Sequence, residues 1–129
     1  VLQKDVVNRL IAKPGTRAYG RLTILMNTLF ELIPGPIYDP LSFYPPPEVS
    51  SQLIILVRRK LYSDDTAFLE ELTRRLFNKR RRRVYSVLLE EFNIDERFLK
   101  DHGIDPEKRV YQLTMGDLER LMDLLRKRV

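Results

Sequence analysis

Six of the eight prolines fall between positions 34 and 47, and they limit what this part of the chain can become. Proline fixes φ near about −65° and removes a backbone donor, which excludes helix interiors and central strands. Residues 32–38 therefore read as an edge strand kinked at Pro34-Gly35-Pro36. Residues 40–48 (Pro-Leu-Ser-Phe-Tyr-Pro-Pro-Pro-Glu) read as a stiff extended loop. The next segment, 49–59, is apolar on both faces from Leu53 to Val57, as a central strand is.

Around these prolines the periodicity is helical. Val1 to Gln3 reads as the end of a strand, and Val6, Val7, Leu10 and Ile11 make one side of a short helix over 4–12. Pro14-Gly15 ends it. Leu22, Leu25, Met26 and Leu29 recur at i, i+3, i+4 and i+7, predicting a helix with these residues in the core. After a boundary near Lys60, Ser63-Asp64-Asp65 opens a helix lined by Phe68, Leu69, Leu72 and Leu76. Val84, Val87, Leu88 and Phe92 line the next. Ile94, Phe98 and Leu99 belong to a third, stopped by Gly103. Thr114 with Asp117 predicts a capped start for a last helix carrying Leu118, Leu121, Met122 and Leu125 inward.

Charge is distributed unevenly. The net charge is +5, yet Arg74, Arg75, Lys79, Arg80, Arg81, Arg82 and Arg83 form a block without an acid between Glu71 and Glu90. Without these seven, the remaining Lys and Arg fall short of the 18 acids. Such a block is either a solvated helix face or a patch that binds polyphosphate by releasing counterions. The longest aliphatic run, Leu53 to Val57, is far short of the roughly 20 residues of a membrane span. Neither a membrane partner nor a signal peptide is expected, because the N-terminus turns polar at once. With no cysteine there is no disulfide or thiolate metal site, which fits a reducing cytoplasm. The chain lacks an initiator Met and opens inside a strand-like segment, as a piece of a longer protein would.

The inventory for chemistry is short. One His and no Cys leave no nucleophilic triad, and His102 sits at a helix end before Gly103. A lone His with scattered carboxylates has no metal-ligand spacing. The pairs Asp64-Asp65, Glu70-Glu71 and Glu90-Glu91 diverge on a helix. No glycine-rich phosphate loop follows a strand. No complete catalytic site is expected in this chain. Besides the basic block, Phe43 stands out on its proline-stiffened loop. It is either a loop Phe tucked into the core or an exposed face on which an extruded nucleobase stacks.

Four segments carry a family resemblance. Leu2-Gln3-Lys4-Asp5-Val6, Arg9-Leu10, Pro14-Gly15 and Tyr19-Gly20-Arg21-Leu22 resemble the pattern LQKE-V, RL, PG and YGRLS. The segment from Phe43 to Ser51 resembles F-x-P-x-P-x-V-x-S, and Leu76 to Arg82 is similar to LF-x-x-RR followed by a base. Asp105-Pro106 with Arg109, Leu113 and Leu118 fits a closing DP, R, L, L pattern. The order is collinear and covers nearly all 129 residues. The chain thus resembles the rRNA adenine N6,N6-dimethyltransferases, the dimethyladenosine transferases. Glu48 stands where Lys is common in that pattern, and Asp5 where Glu is usual.

The resemblance implies an α/β fragment plus an all-α lobe. Residues 1–60 would be the last strands and helices of a Rossmann-like methyltransferase domain, and 61–129 a helical rRNA-binding domain. It implies a parent that uses S-adenosylmethionine to dimethylate adenines of small-subunit rRNA in ribosome biogenesis, in the cytoplasm and as a monomer. The donor motifs and the Asn-Leu-Pro-Tyr element that holds the target amine are not in this sequence. This chain by itself is therefore expected to be inactive and to bind no cofactor. Phe43 carries over as the stacking wall for the target adenine. Arg74, Arg75, Lys79, Arg80, Arg82 and Arg83 are the expected grip on rRNA or a ribosomal subunit precursor. The alternatives are a non-catalytic rRNA- or ribosome-binding module and a large-subunit rRNA adenine methyltransferase of the antibiotic-resistance type.

Overall fold

A computed structural model describes residues 1–46 and 48–127. The chain divides into two compact units. The first comprises residues 1–13 and 18–62, and the second comprises 14–17 and 63–129.

The first unit contains β1 (Leu2–Gln3), α1 (Lys4–Leu10), α2 (Arg21–Leu29), β2 (Phe30–Tyr38) and β3 (Ser51–Arg58). The strands form an antiparallel sheet in the order β1-β3-β2, so β3 is central and the proline-bearing β2 is an edge. Its register shifts between Pro34 and Ile37, where proline removes ladder donors. There the Gln52 side-chain amide, itself buried, donates to the Gly35 carbonyl at 3.1 Å. Of the loop expected over 40–48, residue 47 lies outside the described residues, and 40–46 depart from a purely extended course. Pro40–Ser42 forms a 3-10 turn, capped where the Asp39 carboxylate accepts from the Leu41 amide at 2.9 Å.

Two expectations about this unit are corrected. In α2 the buried residues are Thr23, Ile24 and Leu29, whereas Leu22 is exposed. The Thr23 hydroxyl donates to the Arg9 carbonyl, and the Asn27 amide donates to that of Leu10. Those polar contacts orient the helix with Thr23 and Asn27 toward α1 and leave Leu22 exposed. Ile11, placed on the apolar side of α1, is also exposed. The sheet is left open: Ile33, Ile37, Ile55, Leu56 and Val57 are all exposed.

The second unit packs α3 (Asp64–Phe77), α4 (Val84–Phe92), α5 (Glu96–Asp101) and α6 (Met115–Lys127) around Leu72, Leu76, Val84, Val87, Leu88, Leu99, Leu113, Leu118 and Leu121. All but Leu113, which lies outside the helices, are residues that the i, i+3, i+4 spacing selects. Phe98, expected inward, is about half exposed, and Leu124 takes the buried position beside half-buried Leu125. Asn93 ends α4 in the left-handed region (φ 55°), and Gly103 does the same beyond α5 (φ 75°). Thr114 opens α6 reciprocally. Its hydroxyl accepts from the Asp117 amide at 3.1 Å, and the Asp117 carboxylate accepts from the Thr114 amide at 3.0 Å. Asp117 is buried and also receives the Lys108 ammonium at 2.7 Å. Burial pushes its carboxyl up, the Lys108 and Thr114 bonds outweigh that, and the net shift is downward.

Candidate nucleic-acid interface

The basic block begins in the last turn of α3 and continues through the turn to α4, and its residues fall into three environments. Arg74 and Arg75 share one carboxylate, with Glu71 at 2.6 Å and 3.1 Å respectively. The Arg74 guanidinium, followed by that of Arg75, lowers the Glu71 carboxyl to about 2. Arg75 also lies over the Phe92 ring at 5.3 Å. Lys79 and Arg82 meet on Glu90, each at 2.7 Å, and hold its carboxyl below the usual range. Arg83 donates to the Glu107 carbonyl at 2.6 Å. Five of the six expected RNA-binding residues are thus engaged locally, and their positive charge is partly offset.

The sixth, Arg80, belongs to a different arrangement. Residues 80–84 run antiparallel to 108–111. The amides of Val110 and Tyr111 donate to the carbonyls of Arg82 and Arg80, both at 3.0 Å, and the Val84 amide donates to Lys108 at 2.8 Å. Pro14 to Arg17 joins this seam, with the Gly15 amide donating to the Tyr111 carbonyl at 2.8 Å. Gly15 has φ 88°, a left-handed conformation that a side chain would strain. The result is an open hollow of about 680 Å³ lined by Gly15, Arg17, Arg80, Arg81, Arg109 and Tyr111. No acid lines it.

The hollow has a rigid floor and a free rim. Arg80 reaches the carbonyls of Thr16 and Arg17 at 3.3 Å and 3.1 Å and covers the Tyr111 ring at 5.6 Å. Arg109 donates from Nη1 to the Arg81 carbonyl at 2.6 Å. The guanidinium groups of Arg17 and Arg81 form no ion pair or hydrogen bond among the described residues. Four guanidiniums without a carboxylate offer the charge and donor geometry that suit phosphate oxygens. Arg17, Arg81 and Arg109 were not singled out as RNA ligands from sequence. Arg81 was in the run, but Arg17 and Arg109 are far from it in the chain.

In the first unit, Phe43 lies just past the 3-10 turn with an extended backbone, and it is 39% exposed. Its ring meets Tyr38 edge-on at 6.4 Å between centroids and 74° between planes. It is neither core nor fully free. His102 caps α5, with Nδ1 at 2.8 Å from the Phe98 carbonyl. Among the described residues no group of three or more His, Cys, Asp or Glu could hold a metal, and no helix is long and apolar enough to cross a membrane. The described glycines form no donor cradle of the strand-turn-helix kind. The strands are antiparallel, and Gln3 passes directly into α1 without a glycine turn.

Known proteins resemble this chain along nearly its whole length. The family model for ribosomal RNA adenine dimethylase matches residues 1–127. Ribosomal RNA small subunit methyltransferase A of Vibrio atlanticus is 36% identical over 127 residues, 96% of this chain and 45% of that protein. The Serratia proteamaculans protein of the same name is 35% identical over 128 residues, 97% of this chain and 46% of that protein. The chain spans less than half the length of these curated relatives. Two crystal structures share its fold. A dimethyladenosine transferase from Plasmodium falciparum superposes with a TM-score of 0.73 at 20% identity, over 97% of this chain and 55% of that one. The 23S rRNA methyltransferase ErmE superposes with a TM-score of 0.63 at 23% identity, over 96% and 52%.

Proposed function

Because the chain belongs to the ribosomal RNA adenine dimethylase family, we propose that it is the rRNA-gripping part of a small-subunit rRNA adenine N6-dimethyltransferase. The observation that carries this reading is the acid-free hollow of Arg17, Arg80, Arg81 and Arg109. Residues 61–129 act as the helical rRNA-binding domain, extended by the 14–17 segment that packs in the same unit. Residues 1–60 are the last part of a Rossmann-like methyltransferase domain. The open apolar surfaces of β2 and β3 support that assignment, since exposed Ile and Val on a sheet call for a covering layer. The small-subunit substrate is favoured over the large-subunit one because the relatives at 35–36% identity carry small-subunit names.

The methyl donor is S-adenosylmethionine, held in the parent by residues outside this chain, because the glycines described here do not fit it. The work of this chain is positional. Extruding an adenine costs stacking energy, and the exposed face of Phe43 returns about 1–3 kcal/mol of it. The amine of adenine is a poor nucleophile, so a fixed ring plane and an anchored backbone supply orientation. Arg17 and Arg81, whose guanidiniums are free to reach outward, bind phosphate, and Arg80 and Arg109 hold the frame.

The test is a salt titration of RNA binding. Each phosphate contact contributes a slope of about −0.7 to −0.9 in log affinity against log salt. Arg17→Gln combined with Arg81→Gln should flatten that slope by about 1.5 units. Arg74→Gln combined with Lys79→Gln should change it by less, because Glu71 and Glu90 already engage those cations. Equal slopes for the Arg17/Arg81 variant and the unaltered chain would overturn the assignment.

A further inference from the structure

Tyr44 is 100% exposed, although it is an aromatic residue on a loop held from both sides. Tyrosines are usually at least half covered, so a fully bare ring on an ordered turn calls for a partner. The loop is built before any partner arrives. Asp39 accepts from the amides of Leu41 and Ser42, the Phe43 amide donates to Pro40, and Pro45 and Pro46 follow Tyr44 directly. Holding the ring there therefore costs little additional order on binding.

Phe43 has an extended backbone, with φ −119° and ψ 157°, at the start of a bend that runs through Tyr44 and Pro45. Phe43 turns toward Tyr38. Tyr44 stands in solvent, and no ring contact or hydrogen bond engages it among the described residues. Two neighbouring aromatic rings are thus presented on one bend, one against Tyr38 and one in solvent.

We infer that Tyr44 is a second stacking platform, taking an unpaired RNA base next in sequence to the adenine that Phe43 receives. The inference rests on the rRNA reading proposed above. Every base has a π-face, so the contact needs no particular neighbour and no hydrogen bond from the phenol. It holds the strand on the outer side of the loop while the target base is turned inward.

The chain contains no tryptophan, so Tyr44→Trp introduces a single reporter at the site. Titrating that variant of the full chain with a short single-stranded oligoadenylate should quench its emission saturably. The same sugar-phosphate length carrying abasic positions should leave emission unchanged. Tyr44→Phe should bind the oligoadenylate as the unaltered chain does, and Tyr44→Ala about tenfold more weakly, within the range of one stacked base. Oligoadenylate binding by Tyr44→Ala that equals that of the unaltered chain, or equal quenching by the abasic strand, overturns the platform. If affinity survives in Tyr44→Ala but falls in the Arg17→Gln, Arg81→Gln variant, the rRNA reading stands and only the Tyr44 role fails. If no variant binds RNA, both fail.

Discussion

Arg109 donates from its guanidinium to the main-chain carbonyl of Arg81 at 2.6 Å. One arginine of the hollow is thus fixed by the backbone of another, 28 residues away in sequence. The bond braces the turn that follows α3. That turn carries five consecutive cations, Lys79 to Arg83, and the bond holds its backbone against their mutual repulsion.

Replacing Arg109 should loosen this seam before it weakens the fold. In Arg109→Ala, amide exchange at Val110 and Tyr111, which bond the Arg82 and Arg80 carbonyls, should accelerate relative to α4 and α6. RNA affinity should fall with it. Arg109→Lys should restore charge but not the exchange protection, since a lysine lacks the planar fork. Unchanged exchange in Arg109→Ala would show that the seam does not depend on this brace.

Asp117→Asn should destabilise the second unit by about 1–3 kcal/mol, as the half-buried Lys108 loses its counter-charge and the bonds at the buried Asp117 carboxylate weaken. The pH dependence has a definite sign. The folded carboxyl titrates below its unfolded value of 3.8, so its contribution is complete above that pH and is lost as pH falls through the folded value. The stability gap between the two proteins should be constant near neutrality and shrink in acid below about pH 4. A gap that widens on acidification would contradict the assignment.

Glu71 should remain ionised well into acid. The Arg74 guanidinium, with that of Arg75, places its carboxyl near 2, against an ordinary value of 4.5. Carboxyl-detected NMR should find a midpoint clearly below those of ordinary glutamates. In Arg74→Gln the midpoint should return most of the way toward 4.5, because Arg74 makes the larger contribution.

Leu22→Ser should be nearly neutral and Leu121→Ala severe. Leu22 is exposed despite its place in a regular apolar stripe, and Leu121 is fully buried. Truncating a buried leucine typically costs about 2–5 kcal/mol, whereas exposed substitutions usually lie within about 0.5 kcal/mol. Comparable losses in the two variants, measured by denaturant unfolding, would mean that α2 packs by its leucines after all.

In the parent enzyme, Phe43→Ala should lower adenine methylation by about tenfold or more, and Phe43→Tyr or Trp should retain most of it, because stacking needs a flat face. A fully active Ala variant with intact fold would leave Phe43 a loop residue packed on Tyr38.

Local rules in the sequence account for much of this molecule. The 3.6-residue spacing selects Leu72, Leu76, Val87, Leu88, Leu118 and Leu121 as core. Proline chemistry places β2 at an edge, and Thr114 with Asp117 marks the start of α6. These features depend on neighbours within one or two turns, so the linear order contains them. The rotation of α2 does not, because it follows from the Thr23 and Asn27 bonds to carbonyls across the unit. The division of the arginine run is equally non-local. Whether a cation is offset depends on carboxylates one helix away, as with Glu90, or on none, as with Arg81. Arg17 and Arg109 join the hollow only because residues 14–17 and 108–111 are drawn onto the turn by backbone hydrogen bonds. Long-range pairing of that kind leaves no spacing in the chain, and tertiary structure alone determined which cations face open space.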